Sequence, residues 1–543
     1  MRAPIASVDQ PQTQDMANPN DDMRAAVAAH QRGDLKTAEH LYAKVLAQAP
    51  SYTPARCYLG IALLQQGRPA EAVAPLAIAV QTQPTFEALA HYGLALAMSG
   101  EPVKALSHID RALQLNPNDP AALRNRGNVL KLLDRRDEAL DTFDRAIALA
   151  PNDAELRSNR GTVLADLGRY EDAVQSYDRA LAIQPRNVDA LENRGNALTW
   201  LNRLDEAFET FKRGLAVQPE AADLHFAYAN ALLRDGDYRN GFREYEWRLR
   251  QPANLSRRRW TPGADWRGES SLAGKTILLH SEQGFGDTLN FVRYVPLVAA
   301  TAGRVLLRVQ GPLRTLLGAQ GWDASIIGDD ARDPDIDCNC PLPSLPLAFA
   351  TELDNIPAAT GYLKAPAERI EHWRHRIPPG RPRIGIVWCG NPTFANDRLR
   401  SMNFTQVAPL LQMSDVNFFS LNPGLDTAVV SALEAMPNVH HLAAGFADFA
   451  DTAAAIASLD LVVTTDTAMA HLVGAMGRPV WIMLATGADW RWFTGRDDNP
   501  WYASARLFRQ PSFGNWPAVI DRIGRALREF IVPDAGQKNA PGR

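Results

Sequence analysis

At 543 residues the chain is too long for one hydrophobic core and predicts about two to four domains. Charged residues at 22% and apolar residues at 46% describe a soluble globular protein, and a net charge of −4 excludes the global basic field of a nucleic-acid binder. Four cysteines (Cys57, Cys338, Cys340, Cys389) are too few for a disulfide framework; with no signal-peptide core and no long apolar run, a cytoplasmic protein without a transmembrane segment is expected.

Residues 1–18 are polar and predict a disordered tail. From there, prolines recur at Pro50, Pro84, Pro117, Pro151, Pro185 and Pro219, spaced by 34, 33, 34, 34 and 34 residues. Glycines stand at Gly60, Gly127, Gly161 and Gly195, alanines at Ala72, Ala139, Ala173 and Ala207, and aromatics at Phe143, Tyr177 and Phe211. Turn signals fall at Gly33, Gly67, Gly100, Asp134, Gly168, Asn202 and Gly236. This pattern resembles the tetratricopeptide repeat, a helical hairpin of about 34 residues, and predicts seven repeats over 19–252. Small residues let two helices approach, the aromatic is expected to fill the space between hairpins, and proline ends each second helix. Such hairpins bury their faces only by stacking into an α-solenoid.

"RNRGN", "SNRGT" and "ENRGN" put Asn125, Asn159 and Asn193 in one register. A column of carboxamides can hold an extended peptide backbone whatever its sequence, since each offers donors and an acceptor. The column is similar to the asparagine ladder of protein O-GlcNAc transferases, and it marks a candidate acceptor groove for a protein or peptide partner. The alternative is that the asparagines bond to neighbouring hairpins or to water. Arg126, Arg160 and Arg194, next in the chain, read as solvated stems lying over the core.

After a Pro/Gly/Trp-containing connector the periodicity changes. "KTILLH", "RVLLRVQ", "PRIGIVWCG", "VNFFSLN", "DLVVTT" and "RPVWIML" are buried parallel strands alternating with amphipathic helices, one of them "DTLNFVRYVPLVAATAG". Two doubly wound sheets follow, over 253–378 and 379–532, hinged at the proline-rich Pro378–Pro382. Ligands of such sheets lie at the carboxyl ends of the strands. There, "SEQGFGDTLNF" offers Gly284 and Gly286, whose missing side chains permit close approach. Asp287 in the same loop is either a helix N-cap or a proton acceptor. In "TTDTAMAH", the amides of Thr467, Ala468 and Met469 make a helix N-terminus suited to a diphosphate. Asp466 caps that helix or bonds sugar hydroxyls, and His471 is either a packed core residue or a ligand contact. Trp490, Arg491, Trp492 and "PWY" read as packing, and "WPAVIDRIGRALREFIV" as an amphipathic helix before a disordered tail at 533–543.

"EQGFGDTLNFVRYVPL", "RIGIVWCGNP", "NDRLRSM", "DTAMAHLVGAMGRP" and "DWRWF" together resemble the glycosyltransferase module fused to tetratricopeptide repeats in bacterial proteins. That module is similar to the heptosyltransferase superfamily, glycosyltransferase family 9. The resemblance implies a GT-B fold of two Rossmann-like domains, with the terminal amphipathic helix crossing back to the first. It implies Asp287 as general base and a donor site of Gly284, Gly286, Arg400, Asp466, Thr467, Ala468 and His471. Ala468 stands where heptosyltransferases carry glycine. Arg400 is chosen over Arg398 because it occupies the family's Arg-Ser element. No cofactor and no metal are expected, the nucleotide-diphosphate sugar being a substrate. The leading expectation is therefore a glycosyltransferase whose repeats recruit the acceptor. The alternative is a non-catalytic repeat scaffold with a degenerate sugar-nucleotide domain. An NAD-dependent redox enzyme fits less well, because "GFGDTLN" lacks the third glycine of the dinucleotide fingerprint.

Overall fold

A computed structural model describes residues 19–255, 263–332, 335–394 and 397–531. The expected tails at 1–18 and 533–543, and the connector at 256–262, lie outside these residues. The chain forms two compact units, Met1–Ala190 and Leu191–Arg543. The first contains five helical hairpins: α1 (Pro19–Gln31) with α2 (Leu35–Gln48), α3 (Thr53–Gln65) with α4 (Pro69–Thr82), α5 (Phe86–Met98) with α6 (Pro102–Leu115), α7 (Pro120–Leu132) with α8 (Arg136–Leu149), and α9 (Ala154–Asp166) with α10 (Tyr170–Ile183). Helix starts are chemically marked: Asp119 accepts the Ala122 amide at 2.7 Å, with Pro120 already in the first turn. Helix ends are marked too, since Ala49, Gln83, Asn116 and Ala150 each close a second helix directly before a periodic proline. The inter-helix turns at Gly33, Gly67, Gly100, Asp134 and Gly168 all take the left-handed conformation, φ between 62° and 83°.

The periodic aromatic lies elsewhere than expected. A Cβ on Gly127 would stand 2.6 Å from Phe143, and one on Gly161 2.6 Å from Tyr177. Each ring therefore fills the space within its own hairpin, opposite the glycine of the partner helix, and not the space between hairpins. The third repeat keeps this register with Gly93 against Ile109; its loop after Pro84 is one residue short, which accounts for the single 33-residue spacing. Gly161→Val should lower the stability of this unit by about 1–3 kcal/mol through overpacking. A lowered melting temperature of the repeat helices followed by circular dichroism checks it, and an unshifted transition refutes it.

Arg126 and Arg160 are also not merely solvated stems. Arg126 Nε donates to Asp110 at 2.7 Å, and Arg160 Nε to Asp144 at 2.5 Å, each pinning a hairpin to the one before it.

The division falls in the first turn of α11 (Val188–Trp200), and the second unit continues with α12 (Leu204–Val217), α13 (Ala222–Asp235) and α14 (Tyr238–Tyr245). Two wholly parallel sheets follow. The first has the order β1 (Ala264–Asp265), β5 (Cys338–Pro341), β2 (Thr276–His280), β3 (Arg304–Val309), β4 (Ser325–Gly328). The second has the order β11 (Ala505–Arg509), β10 (Val480–Leu484), β9 (Leu461–Thr465), β6 (Arg383–Val387), β7 (Asn417–Ser420), β8 (Val439–His441). Central strands such as β9 and β10 are buried along their whole length, as sheets covered on both faces require.

Four expectations need correction. The helix after β2 is broken into Phe285–Phe291, a 3-10 turn Val292–Tyr294 and Val295–Ala299, where Pro296 starts a new segment. The terminal helix Trp516–Ile531 does not cross back to the first sheet: Trp516, Val519, Ile520, Ile523 and Leu527 pack in the second sheet's core with Leu410 and Phe508. The hinge is not at Pro378–Pro382. The amides of Tyr362 and Leu363 already bond to Ala475 O, at 2.7 and 2.9 Å, and Trp373 donates to Asp451, so the chain has joined the second sheet domain before those prolines. Nor do the repeats end as a separate body at 252: Tyr238, Phe242 and Tyr245 of α14 share one core with Trp490 and Trp501.

Candidate active site

Four loops leave the carboxyl ends of β2, β6, β9 and β10, and their side chains meet. The β2 loop leads into the helix Phe285–Phe291. Its N-cap is Gly284 and not Asp287, with Asp287 three residues on; Asp287 Oδ2 accepts the Gly284 amide at 3.1 Å. Gly284 itself has φ −70°, so nothing in its backbone demands glycine. Gly286 is different. A Cβ there would lie 2.6 Å from the His471 ring and 3.6 Å from Ala468 Cα, so its bare backbone is what lets the first loop touch the second.

That second element is the helix Ala468–Ala475 after β9. Its N-cap is Thr467 and not Asp466, and the Thr467 hydroxyl accepts the Met469 amide at 3.3 Å. Of the three amides expected to be open, the one on Met469 is therefore occupied. Asp466 is half-buried beside Asp489, and burial together with that second carboxylate pushes its pKa up to about 6. His471, 7% exposed, has Nδ1 2.9 Å from the Tyr502 hydroxyl, which also accepts from Asn290 Nδ2 at 2.9 Å. Burial and the nearby Arg491 hold the imidazole well below its usual pKa, so it is neutral.

Arg400, after β6, donates from Nε to Asp397 at 3.1 Å and lies 4.5 Å from the Phe394 ring centroid. Ser401 braces this turn, donating to Asp397 at 2.8 Å and accepting the Gly390 amide at 2.9 Å. A Cβ on Gly390 would come within 3.3 Å of both Arg400 and Thr467, which places the β6 and β9 loops side by side. Arg398 is exposed.

Arg491, on the β10 loop, was read as packing and proves central. Its side chain is 4% exposed; Nη2 donates to Asp287 Oδ1 at 2.7 Å and Nη1 to Asp489 Oδ1 at 3.0 Å. Phe291 and Trp490 flank the guanidinium, 5.0 and 4.4 Å from their ring centroids. Burial raises the Asp287 pKa while Arg491 opposes that rise. Two residues on, Phe493 holds φ 56°, a strained conformation for a large side chain. Topology would have found Arg491: it follows a parallel strand at its carboxyl end, in an Asp-x-Arg segment. The arrangement brings four carboxylates (Asp287, Asp397, Asp466 and Asp489), two guanidiniums, a neutral imidazole and a helix N-terminus together. Among the described residues, no group of three His, Cys, Asp or Glu side chains is placed to hold a metal ion.

The three asparagines are half-exposed, Asn125 and Asn159 in the first unit and Asn193 in the second. Among the described residues none of their carboxamides has a protein hydrogen-bond partner.

Comparisons with known proteins agree on the repeats. Family profiles described as tetratricopeptide repeat match residues 23–85, 57–120, 194–246 and 96–159, and one described as TPR repeat matches 161–199. The chain thus carries tetratricopeptide repeats, whose common role is protein interaction. It is 27% identical over 350 residues to Protein FlbA of Caulobacter vibrioides (strain ATCC 19089 / CIP 103742 / CB 15), covering 57% of this chain. The chain spans 55% of that relative's length. A tetratricopeptide repeat protein from Parabacteroides merdae ATCC 43184 aligns with TM-score 0.38 and 17% identity, over 44% of this chain and 94% of its own. YrrB, a TPR protein with an unusual peptide-binding site, aligns with TM-score 0.29 and 26% identity, over 32% and 90%. Among the described residues no helix is long and apolar enough to cross a membrane.

Proposed function

We propose that the chain is a metal-independent, heptosyltransferase-like glycosyltransferase of GT-B type that uses a nucleotide-diphosphate sugar, with the repeats recruiting a protein or peptide acceptor. The observation that carries this reading is the close approach of Gly286, the residue before Asp287, to His471 and Ala468 at the start of the Ala468 helix. In the proposed reaction the donor diphosphate lies at that mouth, where the helix dipole and Arg400 offset its charge. An acceptor hydroxyl attacks the anomeric carbon, the bond from that carbon to the diphosphate oxygen breaks, and the nucleoside diphosphate leaves. Asp287 takes the hydroxyl proton. Asn125 and Asn159, both in the first unit, hold the acceptor's backbone through their carboxamide donors and acceptors.

The test begins with a thermal-shift screen against UDP-, GDP-, ADP- and CMP-sugars, since a bound donor raises apparent stability. With the donor so found, Asp287→Asn should cut turnover by at least about 100-fold while donor binding persists. Full turnover in that variant would remove Asp287 from the base role, and no donor response would remove the transferase reading.

One observation favours a second reading, a repeat scaffold with an inactive sugar-nucleotide domain. Both oxygens of Asp287 are already engaged, by Arg491 and by the Gly284 amide. Donor binding without transfer to any acceptor would support it.

A further inference from the structure

Helix α14 runs into a 3-10 turn, Glu246–Arg250, in which the Arg248 side chain has no solvent exposure. All five of its N–H groups are used. Nε and Nη2 donate to the two oxygens of Glu282 at 3.1 and 2.9 Å, and Nη2 also to Ser344 Oγ at 2.7 Å. Nη1 donates to Glu246 Oε1 at 2.6 Å and to the Tyr245 carbonyl at 3.1 Å. Ser344 donates to Glu246 at 2.7 Å, and the other Glu246 oxygen accepts Arg267 Nε at 2.5 Å. The result is a network in which Arg248, Glu246 and Ser344 close a ring, Glu282 is paired to Arg248, and Arg267 links Glu246 to Asp265.

Glu282 belongs to the loop that ends in Asp287. The same loop is tied again where Tyr245 donates its hydroxyl proton to Gln283 Oε1 at 3.1 Å, and once more where Gln310 Nε2 donates to the Gln283 carbonyl at 3.0 Å. Two of these three ties come from the last repeat. A buried ion pair adds little net stability over an apolar replacement of the same shape. What a two-pronged guanidinium–carboxylate pair adds is fixed geometry. Here the geometry so fixed is that of a loop whose final carboxylate must meet Arg491 on one side and a reacting hydroxyl on the other.

We infer that Arg248, acting through Glu282, and Tyr245, acting through Gln283, are positioning residues for the Asp287 loop, so that the seventh repeat is part of the reaction machinery. This rests on the transferase reading given above. Lysine cannot reproduce the fork, so Arg248→Lys keeps the charge and removes the geometry. In the full chain it should lower kcat at least about tenfold with the donor KM within about twofold, because the proposed donor diphosphate contacts, Arg400 and the Ala468 helix, lie outside the loosened loop. Hydrogen exchange at the amides of 281–287 should rise by about tenfold or more, while exchange over β9 and the Ala468 helix is unchanged. Tyr245→Phe removes one hydrogen bond without stranding a charge and should move both readings the same way by about threefold, so it serves if Arg248→Lys does not fold. Unchanged loop exchange in a folded Arg248→Lys, or a raised KM at constant kcat, overturns the positioning role. A parent protein with no turnover on any donor overturns the transferase reading instead, and loop exchange is read without substrate.

Discussion

Arg491→Met is expected to destabilise the second unit by about 1–3 kcal/mol and to abolish turnover, because it strands half-buried carboxylates that the guanidinium now offsets. Asp287 and Asp489 lie 2.7 and 3.0 Å from its nitrogens, and Asp466 sits within range of the same charge. Methionine matches the stem's volume, so the loss measured is electrostatic more than steric. The lower end of that range is favoured by the 36% exposure of the Asp489 side chain, which lets water screen one partner. The double variant Arg491→Met with Asp489→Asn removes one stranded charge and should recover part of the stability but none of the turnover. Scanning calorimetry and a donor-turnover assay check both statements. A melting profile equal to the parent's would refute the first.

A larger effect is expected from cutting the chain where the repeat pattern ends. The fragment 253–543 loses Tyr238, Phe242 and Tyr245, each worth about 1.5–3 kcal/mol when buried, a total on the order of the whole stability of a domain. It also loses the 2.7 Å bond from Trp501 Nε1 to the Tyr238 hydroxyl, and it leaves Glu282 without Arg248. That fragment should be insoluble or lack a cooperative melt. The fragment 188–543 retains α11–α14 and should melt cooperatively with near-ultraviolet circular dichroism intact. A cooperative melt of 253–543 close to that of the full chain would show that the last repeat is dispensable to the core.

The repeats were legible because their constraints are local. A left-handed turn asks for glycine or asparagine, a close helix pair asks for a small residue, and both recur with the period. Strands such as β9 and β10 were legible as unbroken apolar runs. β5, "CNCP", was not: its burial comes from its place between β1 and β2, not from its composition. β11, "ARLFR", hides its edge position in mixed charge. At the site, Gly286, Asp287, Asp466 and His471 stood out because each falls in a strand–loop–helix junction. Arg491 did not, since its partner Asp287 is 204 residues away in sequence and its own signal, an Asp-x-Arg segment after a strand, lies among tryptophans that suggest packing. The cap positions of Asp287 and Asp466 were misjudged for the opposite reason: aspartate suits a cap, but Gly284 and Thr467 reached the required backbone first.

The clasps Arg126–Asp110 and Arg160–Asp144 have a mechanical corollary. Each is partly open to water, with side-chain exposures of 24% and 42% in one and 25% and 49% in the other. Pairs in such surroundings contribute about 0–1 kcal/mol and weaken as salt rises. The clasps are thus weak, salt-sensitive supplements to hairpin junctions that buried apolar side chains such as Leu76, Val80 and Leu89 already fill, and high ionic strength should leave those junctions held by apolar contact alone.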